Sequence, residues 1–178
     1  MAELWQWNAP SLSSAFAAKK LSPVEVADAL LDRIGRLDGK VNAFCLIDRE
    51  ATLNEAKASE TRWRNNAPLS PLDGVPVAVK DLFLTRGWPT LRGSRSVNPD
   101  QPWTEDAPAV ARLRDAGAVL LGKVTTPDHG WKGVTDSPLT GITRNPWNPE
   151  KTPGGSSGGS SAALAARFAP LALGTFSE

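Results

Sequence analysis

Histidine is the scarcest chemical resource of this chain: in 178 residues there is one, His129. Any Ser-His-Asp or Cys-His mechanism would have to run through it. It lies among Thr126, Pro127, Asp128 and Gly130, a loop composition that reads as surface. The single cysteine, Cys45, has no internal disulfide partner, and no cysteine–histidine cluster offers a zinc site. Charge of one sign is also missing. The formal net charge is +1, with acidic and basic residues interspersed, so neither nucleic acid nor an anionic membrane is indicated as a partner. No apolar run reaches the length of a membrane span, and Met1 to Trp7 shows no basic segment followed by an apolar one. Internal repeats and an interdomain linker are absent. The expectation is one soluble, cytoplasmic α/β domain that holds no metal and calls for no cofactor, with an apolar fraction of 40% to build its core.

Against these absences stands one dense stretch, Pro153-Gly154-Gly155-Ser156-Ser157-Gly158-Gly159-Ser160-Ser161. By composition it is a flexible linker. It is short, however, and feeds directly into Ala162 to Phe168, a helical pattern. A glycine-rich turn before a helix presents free N–H groups and the positive end of the dipole. With its hydroxyls it suits nucleophilic or proton-relay chemistry on a carbonyl or phosphoryl group.

Upstream, Ser11 to Ala18 reads as a short helix. Ser22-Pro23-Val24-Glu25 starts another: serine N-cap, proline in the first turn, and glutamate closing a capping box. Val26, Leu30, Ile34 and Leu37 follow at helical spacing, and Gly39 reads as the stop. Ala43 to Ile47 is expected as a buried strand and Asp48 to Trp63 as a helix. After the turn at Pro71 to Gly74, Val75 to Val79 is apolar on both faces, as in a strand covered on both sides, and it delivers Lys80 at its end. Asp81 to Trp103 is loop-like. A helix from Asp106-Ala107-Pro108 to Gly117 and a strand from Ala118 to Val124 complete a strand–helix–strand unit typical of parallel sheets. Thr125 to Thr152 is irregular, with Trp131 and Trp147 as loop anchors or cleft walls. Pro170 to Gly174 looks like the start of another buried strand.

Gly155 to Gly159 matches G-x-S-x-G, but the 21 residues after Ser157 contain neither histidine nor aspartate, so a nucleophile elbow has no partners in the required order. A P-loop lacks its lysine after the glycines. The remaining base is lysine. Five stretches together resemble the amidase signature family: Gly74 to Asp81, Ala116 to Val124, Gly133 to Pro138, Asn145 to Pro149 and Thr152 to Ser160, in the family's order across essentially the whole chain.

The resemblance implies hydrolysis of carboxamide C–N bonds through a Ser-cisSer-Lys triad, on a mixed, largely buried sheet covered by helices on both faces. It assigns Lys80 as the base and Ser156 as the bridging serine on a cis peptide bond. Gly154, Gly155, Ser157, Gly158, Gly159 and Ser160 would support them. The family motif continues G-T-D-T-G-G-S, whose last serine is the nucleophile. Here Gly174 and Thr175 match, Phe176 replaces the aspartate, Ser177 takes the variable position and Glu178 stands where glycine is expected. That places the nucleophile two positions beyond residue 178, outside the sequence, along with the oxyanion donors. Residues 1–178 are thus expected to be a single incomplete amidase domain: a helical region to about residue 40, then an α/β core. Such a piece should be inactive alone, and self-association through uncovered edges is a further expectation. Two alternatives are a non-catalytic assembly piece that pairs with a C-terminal half and a slow Ser156/Lys80 dyad hydrolase. The substrate is a small-molecule amide, whether aryl, aliphatic, cyclic or glutamine for a tRNA-dependent amidotransferase. The glutamine role is disfavoured by the lack of partner-subunit features.

Overall fold

The computed structural model describes residues 3–175. Its centre is a four-stranded mixed sheet in the order β1-β3-β2-β6, where β1 is Phe44–Ile47, β2 Pro76–Lys80, β3 Val119–Val124 and β6 Leu171–Leu173. β3 and β6 flank β2 in parallel, and β1 joins β3 antiparallel. Every residue of β2 and β3 is buried, as their unbroken apolar runs require of strands covered on both faces.

Two helices supply most of the cover on one face. The capping box of Ser22 and Glu25 opens α2 (Pro23–Val41), with Ser22 Oγ accepting from Val24 N at 3.0 Å and Glu25 Oε2 accepting from Ser22 N at 2.8 Å. Val26, Leu30 and Ile34 on its inner face are fully buried with Ala78, Leu121 and Val124 of the sheet. Each such side chain contributes about 2 kcal/mol by burial. Beside it lies α5 (Gly158–Ala165), which buries Ala162 and Ala163 in the same cluster. On the other face, Val77, Val79 and Leu120 pack with Val110 of α4 (Pro108–Asp115) and with Trp88 of the long loop. α1 (Ala9–Ala17) and α3 (Arg49–Arg64) pack at the α2 side, where Thr52 donates to Leu120 O at 2.7 Å. The helices therefore lie on both faces of the sheet, as the resemblance implies.

Several boundaries differ from expectation. α1 starts two residues before Ser11, capped by the Asn8 side chain, which accepts from Ser11 N. α2 runs through Gly39 to Val41, and the left-handed stop is Asn42 at φ 56°. Asp38 secures that end by accepting from Ala43 N and Phe44 N. β1 is only partly buried, because it lies at the sheet edge with Ile47 exposed, and β6 is half-buried throughout for the same reason. The segment after β3 is not wholly irregular: β4 (Asp136–Ser137) and β5 (Gly141–Ile142) form a small hairpin. Among the described residues, no helix is long and apolar enough to cross a membrane.

Candidate active site

Lys80 ends β2, the strand with a parallel neighbour on each side, and its side chain is fully buried. Strand alternation sends it to the α2/α5 face, opposite Val77 and Val79. There its Nζ donates to three hydroxyls: Ser156 Oγ at 2.7 Å, Thr175 Oγ1 at 2.7 Å and Ser157 Oγ at 3.0 Å. Hydroxyls far from Lys80 in sequence meet its amine because β6 lies beside β2 and Thr175, two residues after β6, turns back over the start of α5.

The Gly/Ser run is not a linker. α5 begins inside it, at Gly158. The loop ahead of the helix is held by side chains from residues 125–135. Thr126 Oγ1 donates to Ser156 O at 3.3 Å, Thr135 Oγ1 donates to Gly154 O at 2.8 Å, and Gly158 N donates to Thr135 Oγ1 at 3.1 Å. Ser160 Oγ donates to Leu173 O at 3.1 Å and so ties the first turn of α5 to β6. The Gly155–Ser156 peptide bond is cis. Two glycines are there for close approach: a Cβ on Gly155 would stand 2.7 Å from Val134 N, and one on Gly159 2.4 Å from both Thr125 N and Thr125 O.

The amine sits among dipoles only. Among the described residues it has no carboxylate partner, and residues 153–166 and 170–175 on the elements around it carry no charge. Burial therefore pushes the Lys80 pKa from 10.5 down to about 8. A second buried lysine shows the contrast. Lys123 points to the opposite face of the sheet, where it pairs with Asp81 at 3.3 Å and donates to Thr90 Oγ1 and Phe83 O. Burial lowers the Lys123 pKa, with Asp81 opposing. Asp81 itself is pushed up by burial, against the pull of Lys123. One lysine is locked in an ion pair; the other is a weakly held proton acceptor facing two serines and a threonine.

His129 takes no part in these hydrogen bonds; its exposed ring pairs with the neighbouring Asp128. Trp131 and Trp147 are 90% and 84% exposed, so neither is a buried loop anchor. No group of three acidic, histidine or cysteine side chains that would hold a metal occurs among the described residues. Phe176, Ser177 and Glu178, where the motif departs from the family pattern, lie outside the described residues. Sequence reasoning did not assign Thr175 to the site. Its only signal there was membership of the Gly174-Thr175 match. The roles of Thr126 and Thr135 as clasps on the loop carried no local signal at all.

A family model described as Amidase matches residues 25–175. The glutamyl-tRNA(Gln) amidotransferase subunits A of Thermobifida fusca (strain YX) and Acidothermus cellulolyticus are each 44% identical to this chain, over 98% of its length. The matches cover 35% and 34% of those two proteins, so this chain spans about a third of the length of these curated relatives. Among solved structures, one described as a vestigial protein complex that reveals the origins of an s-triazine catabolic enzyme superposes with a TM-score of 0.90 at 39% identity, covering 94% of this chain and 37% of that one. A bacterial aryl acylamidase of the amidase signature family gives 0.88 at 31% identity, over 93% of this chain and 34% of its own. A 6-aminohexanoate cyclic dimer hydrolase gives 0.83 at 32% identity, over 97% and 34%.

Proposed function

Because the chain belongs to the amidase signature family, we propose that Lys80 and Ser156 are the base and relay of an amide C–N hydrolase whose nucleophile is a serine two positions beyond residue 178. The observation that carries this is a fully buried amine, unpaired with any carboxylate among the described residues, 2.7 Å from Ser156 Oγ. Neutral Lys80 takes the Ser156 proton, Ser156 takes the proton of the nucleophilic hydroxyl, and the freed oxygen attacks the amide carbon. As the C–N bond breaks, the proton returns along the same path to the leaving amine. Water then repeats the sequence on the acyl ester.

The test compares two polypeptides. The 178-residue chain alone is expected to show no turnover of simple carboxamides. The same chain fused to the C-terminal two thirds of the Thermobifida fusca subunit is expected to hydrolyse them, and Lys80→Ala or Ser156→Ala should remove that activity. Lys80-dependent turnover by the unfused chain would refute the placement of the nucleophile. A fusion that folds and is unaffected by either substitution would refute the roles of Lys80 and Ser156.

For substrate, the curated relatives favour glutamine as the amide, since both are named as amidotransferase subunits; this reverses the weight given by the sequence alone. Glutaminase activity exceeding aryl amide hydrolysis in the fusion is the expected result. A second reading is favoured by one observation, the half-buried outer strand β6. There the chain is an assembly piece that pairs through that edge with itself or another polypeptide. Size-exclusion chromatography over a concentration series decides: a monomer at all concentrations removes the self-pairing form.

A further inference from the structure

The Lys80 amine is surrounded by three hydroxyl oxygens, and they are not equivalent. Ser157 Oγ donates its proton to Thr175 O at 2.9 Å and accepts from Thr175 N at 3.1 Å. With its proton committed, it faces Lys80 only as an acceptor. Ser156 and Thr175 have no other side-chain hydrogen bond among those described, and both lie 2.7 Å from Nζ. A neutral amine offers two N–H groups and one lone pair. With three neighbours, two must accept and one must donate. Ser157 fixes one acceptor, so the remaining N–H and the lone pair are divided between Thr175 and Ser156. The arrangement useful for proton relay has Thr175 accepting and Ser156 donating.

We propose that Ser157 and Thr175 are positioning residues, whose oxygens take the two N–H groups of Lys80 and leave its lone pair aimed at Ser156. This rests on the reading of Lys80 as the base. Ser157 acts twice, since it also clasps the backbone of Thr175 through both its N–H and its carbonyl. The pair therefore joins the end of β6 to the end of β2 through the amine itself. No charged group faces Nζ from β6, α5 or the Gly/Ser loop; Asp81, next along the chain, is paired with Lys123 on the other face.

The experiment follows the titration of Lys80 in the 178-residue chain, by NMR of 13C-labelled lysine, with Lys80→Met to assign the signal. Hydroxyl acceptors favour the ammonium over the amine, because charge-assisted hydrogen bonds are about twice as strong as neutral ones. Thr175→Val keeps the shape and removes one acceptor. The expected result is a Lys80 midpoint lower than in the parent chain by about half a pH unit to one unit, with Thr175→Ser restoring the parent value. A residue that merely fills space would behave otherwise: Thr175→Val would leave the midpoint unchanged or, by admitting water, raise it toward 10.5. Either of those outcomes overturns the positioning role while leaving the base intact. A parent chain in which Lys80 already titrates at its ordinary value overturns the base itself, so the two failures are distinct. Should Thr175→Val not fold, the parent chain at low pH decides. Nuclear Overhauser contacts from the Lys80 ammonium to the β-protons of Thr175 and Ser157 are expected, and their absence refutes the proposal.

Discussion

Replacing Lys80 by methionine should make the folded chain more stable at pH 7. The amine is fully buried, and burial drops its pKa from 10.5 to about 8. Below pH 8 the folded and unfolded chains both hold the proton, and the buried ammonium exerts its full cost. Between about pH 8 and 10.5 the folded chain has released the proton while the unfolded chain still binds it. Stability therefore rises with pH across that window and levels off above it. At about 1.4 kcal/mol per pH unit the ceiling is about 3 kcal/mol. Thr175 and Gly155 reach solvent, so water screens part of this, and about half is a fair expectation. Methionine keeps the length and removes the charge, but it leaves Ser156 and Thr175 without a partner, at a cost of about 1 kcal/mol. The net gain should be about 0.5 kcal/mol at pH 7, turning into a loss of about 1 kcal/mol at pH 10.5. The assay is urea unfolding of both chains from pH 6 to 10.5. The difference between them isolates Lys80, since Lys123 and Cys45 are also perturbed and cancel. A difference that stays constant over pH 8 to 10.5 would refute the reasoning, whatever its sign at pH 7.

Three further outcomes are expected. Gly159→Ala, whose Cβ would meet Thr125 N and O at 2.4 Å, should lower the urea-unfolding free energy by about 2–3 kcal/mol. Gly39→Ala has open space within 4 Å and lies inside α2, so it should raise the same quantity by about 0.5–1 kcal/mol. Asp73, fully buried, accepts from Arg62 Nε and Nη2 at 2.7 Å each and from Leu69 N at 2.8 Å. Burial raises its pKa, but Arg62, Ser59 and Leu69 outweigh this and hold it below the usual carboxylate range. Its stabilisation is therefore complete above the ordinary carboxylate pKa and fades as pH falls through the lower folded value. Asp73→Asn should cost about 3 kcal/mol at neutral pH and flatten that acid limb, read by circular dichroism from pH 7 to 2.

Local rules carried the sequence reading furthest where the determinants are local. The Ser22–Glu25 capping box, the apolar run that buries β2 and the strand-end position of Lys80 each follow from a few adjacent residues. The family pattern supplied Ser156, whose partnership with Lys80 spans 76 residues and has no local trace. What escaped were features decided by neighbours in space. The burial of β1 and β6 depends on their place at the sheet edges, which an apolar run does not disclose. Gly39 lost its place as the helix stop because Asn42 adopts the left-handed conformation and Asp38 caps the amides beyond it. The helix start at Gly158 was hidden because glycine has poor helix propensity. Contact with Thr125 and Thr135 requires the missing side chains at 158 and 159. Thr175 was visible only as a matched letter, and its contact with Lys80 appears once β6 is seen beside β2.

The pairing of β2 with β6 also sets when the Lys80 amine becomes enclosed. Val77 and Leu171 are partners, so this contact of the sheet joins segments 94 residues apart in the sequence. Parallel pairing across so long a stretch is slow to form. Until β6 docks, neither Thr175 nor the α5 loop encloses Lys80, and the amine is a hydrated, protonated side chain like any other. Enclosure then makes Lys80 a weaker base, whose lone pair is free from about pH 8 upward and not only near 10.5. The lowered proton affinity of Lys80 is in this sense a report on the docking of β6.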